Sequence, residues 1–133
     1  MHTFQVKTPA RECLVDITGS VGAAIAESSV REGLCTVYVP HTTAGVTINE
    51  NADPDVSRDI IAFLSEAVPR NWPYRHVEGN SDAHIKASLV GSSVQVPVSR
   101  GRPALGTWQG IYFAEFDGPR TRRVHVVVQG ERP

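Results

Sequence analysis

The chain has 133 residues, 41% of them hydrophobic and 20% charged, with a formal net charge of −1. A chain of this length is ordinarily one domain and buries roughly two-thirds of its unfolded surface, which is enough for a core without disulfide or metal staples. The near-neutral balance excludes a general basic field for nucleic acid, and no apolar run approaches the roughly 20 residues of a membrane span.

Met1–Lys7 lacks the apolar region of a secretory signal, and residues 1–133 show no repeat or linker, so a single cytoplasmic domain is expected. Residues 2–7 and 12–16 read as two strands around a turn at Pro9. A helix follows from a Thr18 cap through Val30, with Val21, Ala24 and Ile25 on one face and Gly33 placed to help end it. Leu34–Val39 and Ala44–Asn49 alternate as strands around Pro40-His41-Thr42-Thr43, which suggests a hairpin with His41 at its tip. Cys13 and Cys35 both fall in strand segments without metal-binding spacing, so reduced, buried thiols are expected.

Asp53 caps the clearest helix and Pro54 opens it; Val56, Ile60, Phe63, Leu64, Ala67 and Val68 mark one buried face, and Pro69 stops it. Residues 69–80 read as a loop, and Ser81 or Asp82 caps a short helix, Ala83–Val90, closed by Gly91. The remainder reads as β. Val94, Val96 and Val98 alternate, Thr107–Phe116 places Trp108, Tyr112 and Phe116 on one side, and Val124–Val128 has the pattern of a central strand covered on both faces. The class is therefore α+β, a mostly antiparallel sheet with two longer helices and one short helix.

Five histidines are present. His2 is terminal and His125 sits in a Val-rich strand, whereas His41, His76 and His84 fall on a turn, a loop and a helix start, where sites concentrate. Three imidazoles from separate segments can hold a metal with one position open, although the spacing alone equally fits three unrelated surface histidines. Asn49-Glu50-Asn51-Ala52-Asp53-Pro54-Asp55 superficially resembles a calcium loop, but Pro54 and Ile60 occupy the positions that need Gly and Glu. It reads better as a polar helix entrance near His41, if the hairpin forms. Gly79-Asn80-Ser81-Asp82 leads into a helix start whose free N–H groups favour anions, with Lys86 following in the first turns. Of 13 basic residues only Lys7 and Lys86 are lysine. Arg100, Arg102, Arg120, Arg122 and Arg123 flank the last strands, where they can grip a diphosphate or blunt sheet edges. No Gly-x-Ser-x-Gly motif or Ser/His/Asp triad is visible.

Ser93, Val96, Val98 and Gly101, then Gly106-Thr107-Trp108-Gln109 and Ile111, resemble the YjbQ family, as do His41-Thr42-Thr43-Ala44, Asn49–Asp55 and Ala83-His84-Ile85-Lys86. Members of that family are often labelled secondary thiamine-phosphate synthases. The resemblance covers almost the whole chain. It implies a homotrimer of compact α+β subunits and a His-lined pocket with zinc or an oxyanion. It also implies a reaction that joins an aminopyrimidine diphosphate to a thiazole phosphate and releases diphosphate. On the matching positions, His41, His76 and His84 would hold a divalent metal, zinc or else magnesium. Glu50, Asp82 and Lys86 are the catalytic candidates, and Thr43, Asn49, Asn51, Trp108 and Gln109 the substrate-binding ones. Expected partners are a small phosphorylated substrate and two further copies, with no nucleic acid and no membrane. The alternative is a non-catalytic metal- or phosphate-binding module.

Overall fold

The structure is a computed structural model describing residues 1–133. Eight strands and three helices follow in the order β1 (His2–Lys7), β2 (Cys13–Asp16), α1 (Thr18–Ser28), β3 (Glu32–Tyr38), β4 (Ala44–Glu50), α2 (Pro54–Ala67), α3 (Ser81–Val90), β5 (Ser93–Ser99), β6 (Arg102–Pro103), β7 (Gln109–Glu115) and β8 (Thr121–Glu131). They form a five-stranded sheet in the order β1-β8-β3-β5-β6 and a three-stranded sheet in the order β2-β7-β4. Every strand pairing is antiparallel, so the chain is an α+β protein with antiparallel sheets.

The two sheets face one another. Val37, Val96 and Val126 from the larger sheet meet Val46, Ile111 and Phe113 from the smaller, and Val21, Ala24 and Ile25 of α1 join the same core. Fully burying each such side chain is worth about 1.5–3 kcal/mol. The other face of the small sheet is covered by helices: Ala114 and Phe116 pack with Ala83 and Ala87 of α3 and with Ile61 and Leu64 of α2.

Several local expectations are corrected. Residues 34–50 form no hairpin, because β3 pairs with β5 and β8 while β4 pairs with β7. The chain crosses from one sheet to the other at Val39–Thr43, and β1 and β2 are likewise split between sheets. The strand covered on both faces is β7, in which every residue from Gly110 to Glu115 is buried. β8 lies between β1 and β3 in its sheet, but Val127 is exposed on the open face, where His125 bonds Thr3 Oγ1 and stacks on Tyr38.

Helix α1 ends at Ser29, whose φ of 63° is left-handed. Gly33 serves a different purpose: a Cβ there would lie 2.0 Å from the Gln129 carbonyl oxygen, so only glycine lets β3 and β8 approach. The N-terminus of α1 is secured by Asp16, whose carboxylate accepts from Thr18 N (2.9 Å) and Thr18 Oγ1 (2.6 Å). Asp53 caps α2 as expected, accepting from Asp55 N at 2.9 Å. No residue of α2 is buried, however, and Phe63 is 71% exposed; Ile61 and Leu64 carry the contact instead. Both cysteines are free. Cys35 is buried, and burial pushes its thiol up to about 11, whereas Cys13 is half-buried.

Candidate functional site

The loop Pro40–Thr43 between the sheets, the segment before α3 and the start of β8 meet in a polar cleft of about 390 Å³. Apart from Pro40, every lining residue is polar; His41, Thr43, Asn80, His84, Arg120 and Arg122 are among them. An adjoining depression of about 510 Å³ shares His41, Thr42 and His84 and extends along α3 to Ala87 and Gly91. Two glycines make this packing possible. Gly91, at φ 97°, ends α3, and Gly45 lets β4 approach it, since a Cβ on Gly45 would lie 2.4 Å from the Gly91 carbonyl oxygen.

His41 is half-buried, and its Nε2 accepts a hydrogen bond of 2.9 Å from the backbone N–H of Arg123. An imidazole nitrogen that accepts is unprotonated, so the proton of the neutral ring sits on Nδ1. Burial and then the positive charge of Arg122 hold the His41 pKa below its ordinary value, which keeps the ring neutral.

Behind the cleft lies a buried ion pair. Arg122 donates from Nε to Glu115 Oε1 at 2.9 Å and from Nη2 to Glu115 Oε2, and Nη2 also donates to Thr43 Oγ1 at 2.8 Å. Glu115 further accepts from Thr8 Oγ1 and from the backbone N–H groups of Phe116 and Asp117. Burial works to raise its pKa, but the hydrogen bonds from Arg122, Asp117 N and Thr8 outweigh it and hold the carboxyl below the ordinary range. Asp117 binds Asn80 Nδ2 at 2.9 Å and Arg120 Nη2 at 3.1 Å, which ties the start of α3 to the turn before β8.

His76 and His84 lie edge to face with ring centroids 5.2 Å apart, and His76 Nε2 is 3.1 Å from Asn80 Oδ1. His76 Nε2 also lies 3.6 Å from Glu78 Oε2. His41 does not complete the set: its Nε2 is engaged, and no group of three or more His, Cys, Asp or Glu side chains is arranged to hold a metal. Within the chain, His41, His76 and His84 are not gathered into a metal-holding set.

Asp82 and Lys86 lie outside both depressions. Lys86 is fully buried on α3 and donates to Asp82 at 2.8 Å and Glu12 at 3.1 Å, while Arg11 clamps Asp82 through both terminal nitrogens. Burial works to raise the Asp82 pKa, and the bonds from Arg11 and Lys86 lower it overall. The remaining candidates sit at the other end of β4, seven residues or roughly 20 Å from Thr43. There Gln109 Oε1 accepts from Gly106 N at 2.8 Å and closes the turn that carries Trp108, which is 63% exposed. Asn51 N donates to Trp108 O at 3.0 Å and its side chain donates to Asp16 at 3.2 Å. Asn49 Oδ1 accepts from Glu50 N at 2.7 Å. The nearness of Asn49, Glu50 and Asn51 to His41 depended on the hairpin, and it does not occur within the chain. Of the predicted residues, the cleft gathers His41, Thr43 and His84, with His76 beside His84. Sequence reasoning set Arg122 among flanking arginines; the alternation Arg122-in, Arg123-out was the signal that it points inward.

A family model described as UPF0047 protein YjbQ-like matches residues 2–131. The chain belongs to the YjbQ-like UPF0047 family. A UPF0047 protein of Methanocaldococcus jannaschii is 60% identical over 99% of this chain and 96% of its own length. UPF0047 protein YugU of Bacillus subtilis is 50% identical, covering 98% and 99% respectively. Among solved structures, a YjbQ/UPF0047-family protein of Clostridium acetobutylicum, described as an uncharacterised conserved protein, is 54% identical with a TM-score of 0.95 over 97% of this chain and all (100%) of the other. A conserved hypothetical protein of Thermus thermophilus gives 45% identity and a TM-score of 0.91 over 97% and 100%.

Proposed function

We propose that this YjbQ-like chain binds a small phosphorylated molecule in the His41–His84 cleft and acts there as a phosphate-handling transferase. The observation that carries the reading is the cleft lining: apart from Pro40 it is wholly polar, with Arg120, Arg122, His41 and His84 set beside the N-terminus of α3 and the carboxylates of Glu78 and Asp117 in the same wall. Backbone N–H groups at a helix start and arginine side chains both favour phosphate oxygens.

The family label supplies the named reaction, condensation of an aminopyrimidine diphosphate with a thiazole phosphate. A ring nitrogen of the thiazole donates its electron pair to the pyrimidine methylene carbon, the carbon–oxygen bond breaks, and the diphosphate leaves with that bonding pair. Stabilising the departing charge is the protein's main task. Arg120 and Arg122 line the cleft, paired with Asp117 and Glu115, whereas Lys86 lies outside it between Asp82 and Glu12. A zinc or magnesium ion would be held by His76 and His84 and would add Lewis-acid stabilisation of the phosphate. Association into trimers belongs to the same proposal and rests on the family resemblance.

A second reading, a non-catalytic phosphate-binding module, is favoured by one observation: the catalytic candidates Glu50, Asp82 and Lys86 do not line the cleft. A diphosphate-release assay with both substrates separates the two. Turnover that falls at least about tenfold in His84→Ala supports the transferase. Tight binding of the aminopyrimidine diphosphate without release supports the module, and neither binding nor release overturns both.

A further inference from the structure

The polar cleft is rich in donors, and several of its acceptors are already engaged. His41 Nε2 accepts from Arg123 N, Thr43 Oγ1 accepts from Arg122 Nη2, and Asn80 Oδ1 lies 3.1 Å from His76 Nε2. The carbonyls of Thr43, Asn80 and Arg120 accept from Phe116 N, Ala83 N and Thr8 N. The lining also holds two carboxylates, Glu78 and Asp117. Glu78 stands on the loop before α3 with its side chain 71% exposed. The Asp117 side chain is only 16% exposed, and the residue is held at three of its four polar atoms. Asp117 N donates to Glu115 Oε2 at 3.1 Å, and Asp117 O accepts from Arg120 Nε at 2.7 Å. Asn80 Nδ2 at 2.9 Å and Arg120 Nη2 at 3.1 Å both donate to the same carboxylate oxygen, Oδ2. Oδ1 receives no hydrogen bond. Nor is it enclosed, since Glu12 Oε2 is the sole enclosed side-chain atom without a partner. The cleft therefore contains one accessible acceptor whose position is fixed by its neighbours.

We propose that Asp117 Oδ1 is a specificity-determining acceptor that reads an amino group on the phosphorylated ligand of this cleft. The proposal rests on the phosphate-binding reading and adds the second feature the ligand must carry. An ionised carboxylate only accepts hydrogen bonds and repels phosphate oxygens, so the part of the ligand that faces Oδ1 is a donor distinct from the phosphate. The exocyclic amine of an aminopyrimidine is such a donor, and a ring bearing hydrogen at that position lacks it. Asn80 and Arg120 are positioning residues, because together they hold Oδ2 and leave Oδ1 for the ligand. The same two donors decide what Asp117→Asn does. They require an oxygen where Oδ2 now stands, so the new amide nitrogen takes the place of Oδ1. Its hydrogens then meet those of the ligand amine. The shape of the side chain is kept and its recognition is inverted.

Calorimetric titration of the intact protein with three probes tests this: an aminopyrimidine diphosphate, its analogue with hydrogen in place of the amine, and inorganic pyrophosphate. Wild type should bind the amino compound at least about tenfold more tightly than the analogue, the contribution of one hydrogen bond to a charged group. In Asp117→Asn that preference should fall to within about twofold, with pyrophosphate binding not weakened and the circular dichroism spectrum unchanged. A purely structural or long-range role for Asp117 would move both pyrimidines together, so a ratio that survives in the variant overturns the assignment. Equal binding of the two pyrimidines by wild type overturns it as well, and that comparison stands even where Asp117→Asn fails to fold. In either case, retained pyrophosphate binding leaves the phosphate reading of the cleft intact. If wild type binds none of the three probes, both fail.

Discussion

The backbone N–H of Arg123 donates to His41 Nε2 at 2.9 Å, joining the crossover loop between the sheets to the start of β8. This contact sets the chemistry of the ring. It makes His41 a donor through Nδ1 and removes the nitrogen that a metal would use. Long-range nitrogen–proton NMR should show His41 as the neutral Nδ1–H tautomer. A ring protonated on Nε2 near neutral pH would break the contact on which this assignment depends.

Stability should fall in acid, first near His41 and then through the carboxylates. The His41 pKa is depressed in the folded chain, so between its unfolded and folded values the unfolded state binds more protons and stability falls as pH drops. Glu115 and Asp82 are also depressed, so their contribution is complete above about pH 5 and is lost as pH falls through their folded values. Urea midpoints measured from pH 7 to pH 3 should decline throughout. A midpoint that rises on acidification would contradict these assignments.

Lys86 should prove a structural residue. Lys86→Met leaves Asp82 and Glu12 with the half-buried Arg11 as their one remaining cation, and a loss of about 3 kcal/mol is expected in urea unfolding. The fraction that remains folded should bind phosphate as wild type does. Normal stability together with lost binding would return Lys86 to the site.

Gly33→Ala should cost about 2–3 kcal/mol, because the new Cβ meets backbone atoms of Gln129 and Gly130 that cannot rotate away. Gly22→Ala, on α1 with nothing within 4 Å of its Cβ, is the control and should stabilise by about 0.5–1 kcal/mol. Thermal melts of the two variants should move in opposite directions.

Elements with their own local signals were legible in the sequence. Asp53-Pro54 opens α2 and Gly91 closes α3 because capping depends on a few adjacent residues. The family motifs were legible as well. Sheet membership was not, since a short loop between two strands reads the same whether they pair or part, and His41 moved from a hairpin tip to a crossover. Glu50 was then carried to the far end of β4. The catalytic reading of Lys86 had the same weakness: its spacing from Asp82 predicts an i,i+4 pair, but burial and the contribution of Glu12 from 74 residues away cannot be read from one helix. Arg122 was overlooked because a flanking arginine is usually solvated, and its partner Glu115 lies on a different strand in the other sheet.

The central claim is that the cleft of His41 and His84 receives phosphate. The protein contains its own reporters, because His2 and His125 lie away from that cleft, at the N-terminal strand and on the open sheet face. Imidazole resonances followed during titration with inorganic phosphate at constant pH should shift for His41 and His84 and stay fixed for His2 and His125. Shifts confined to His2 and His125, or none at saturating phosphate, would contradict the account.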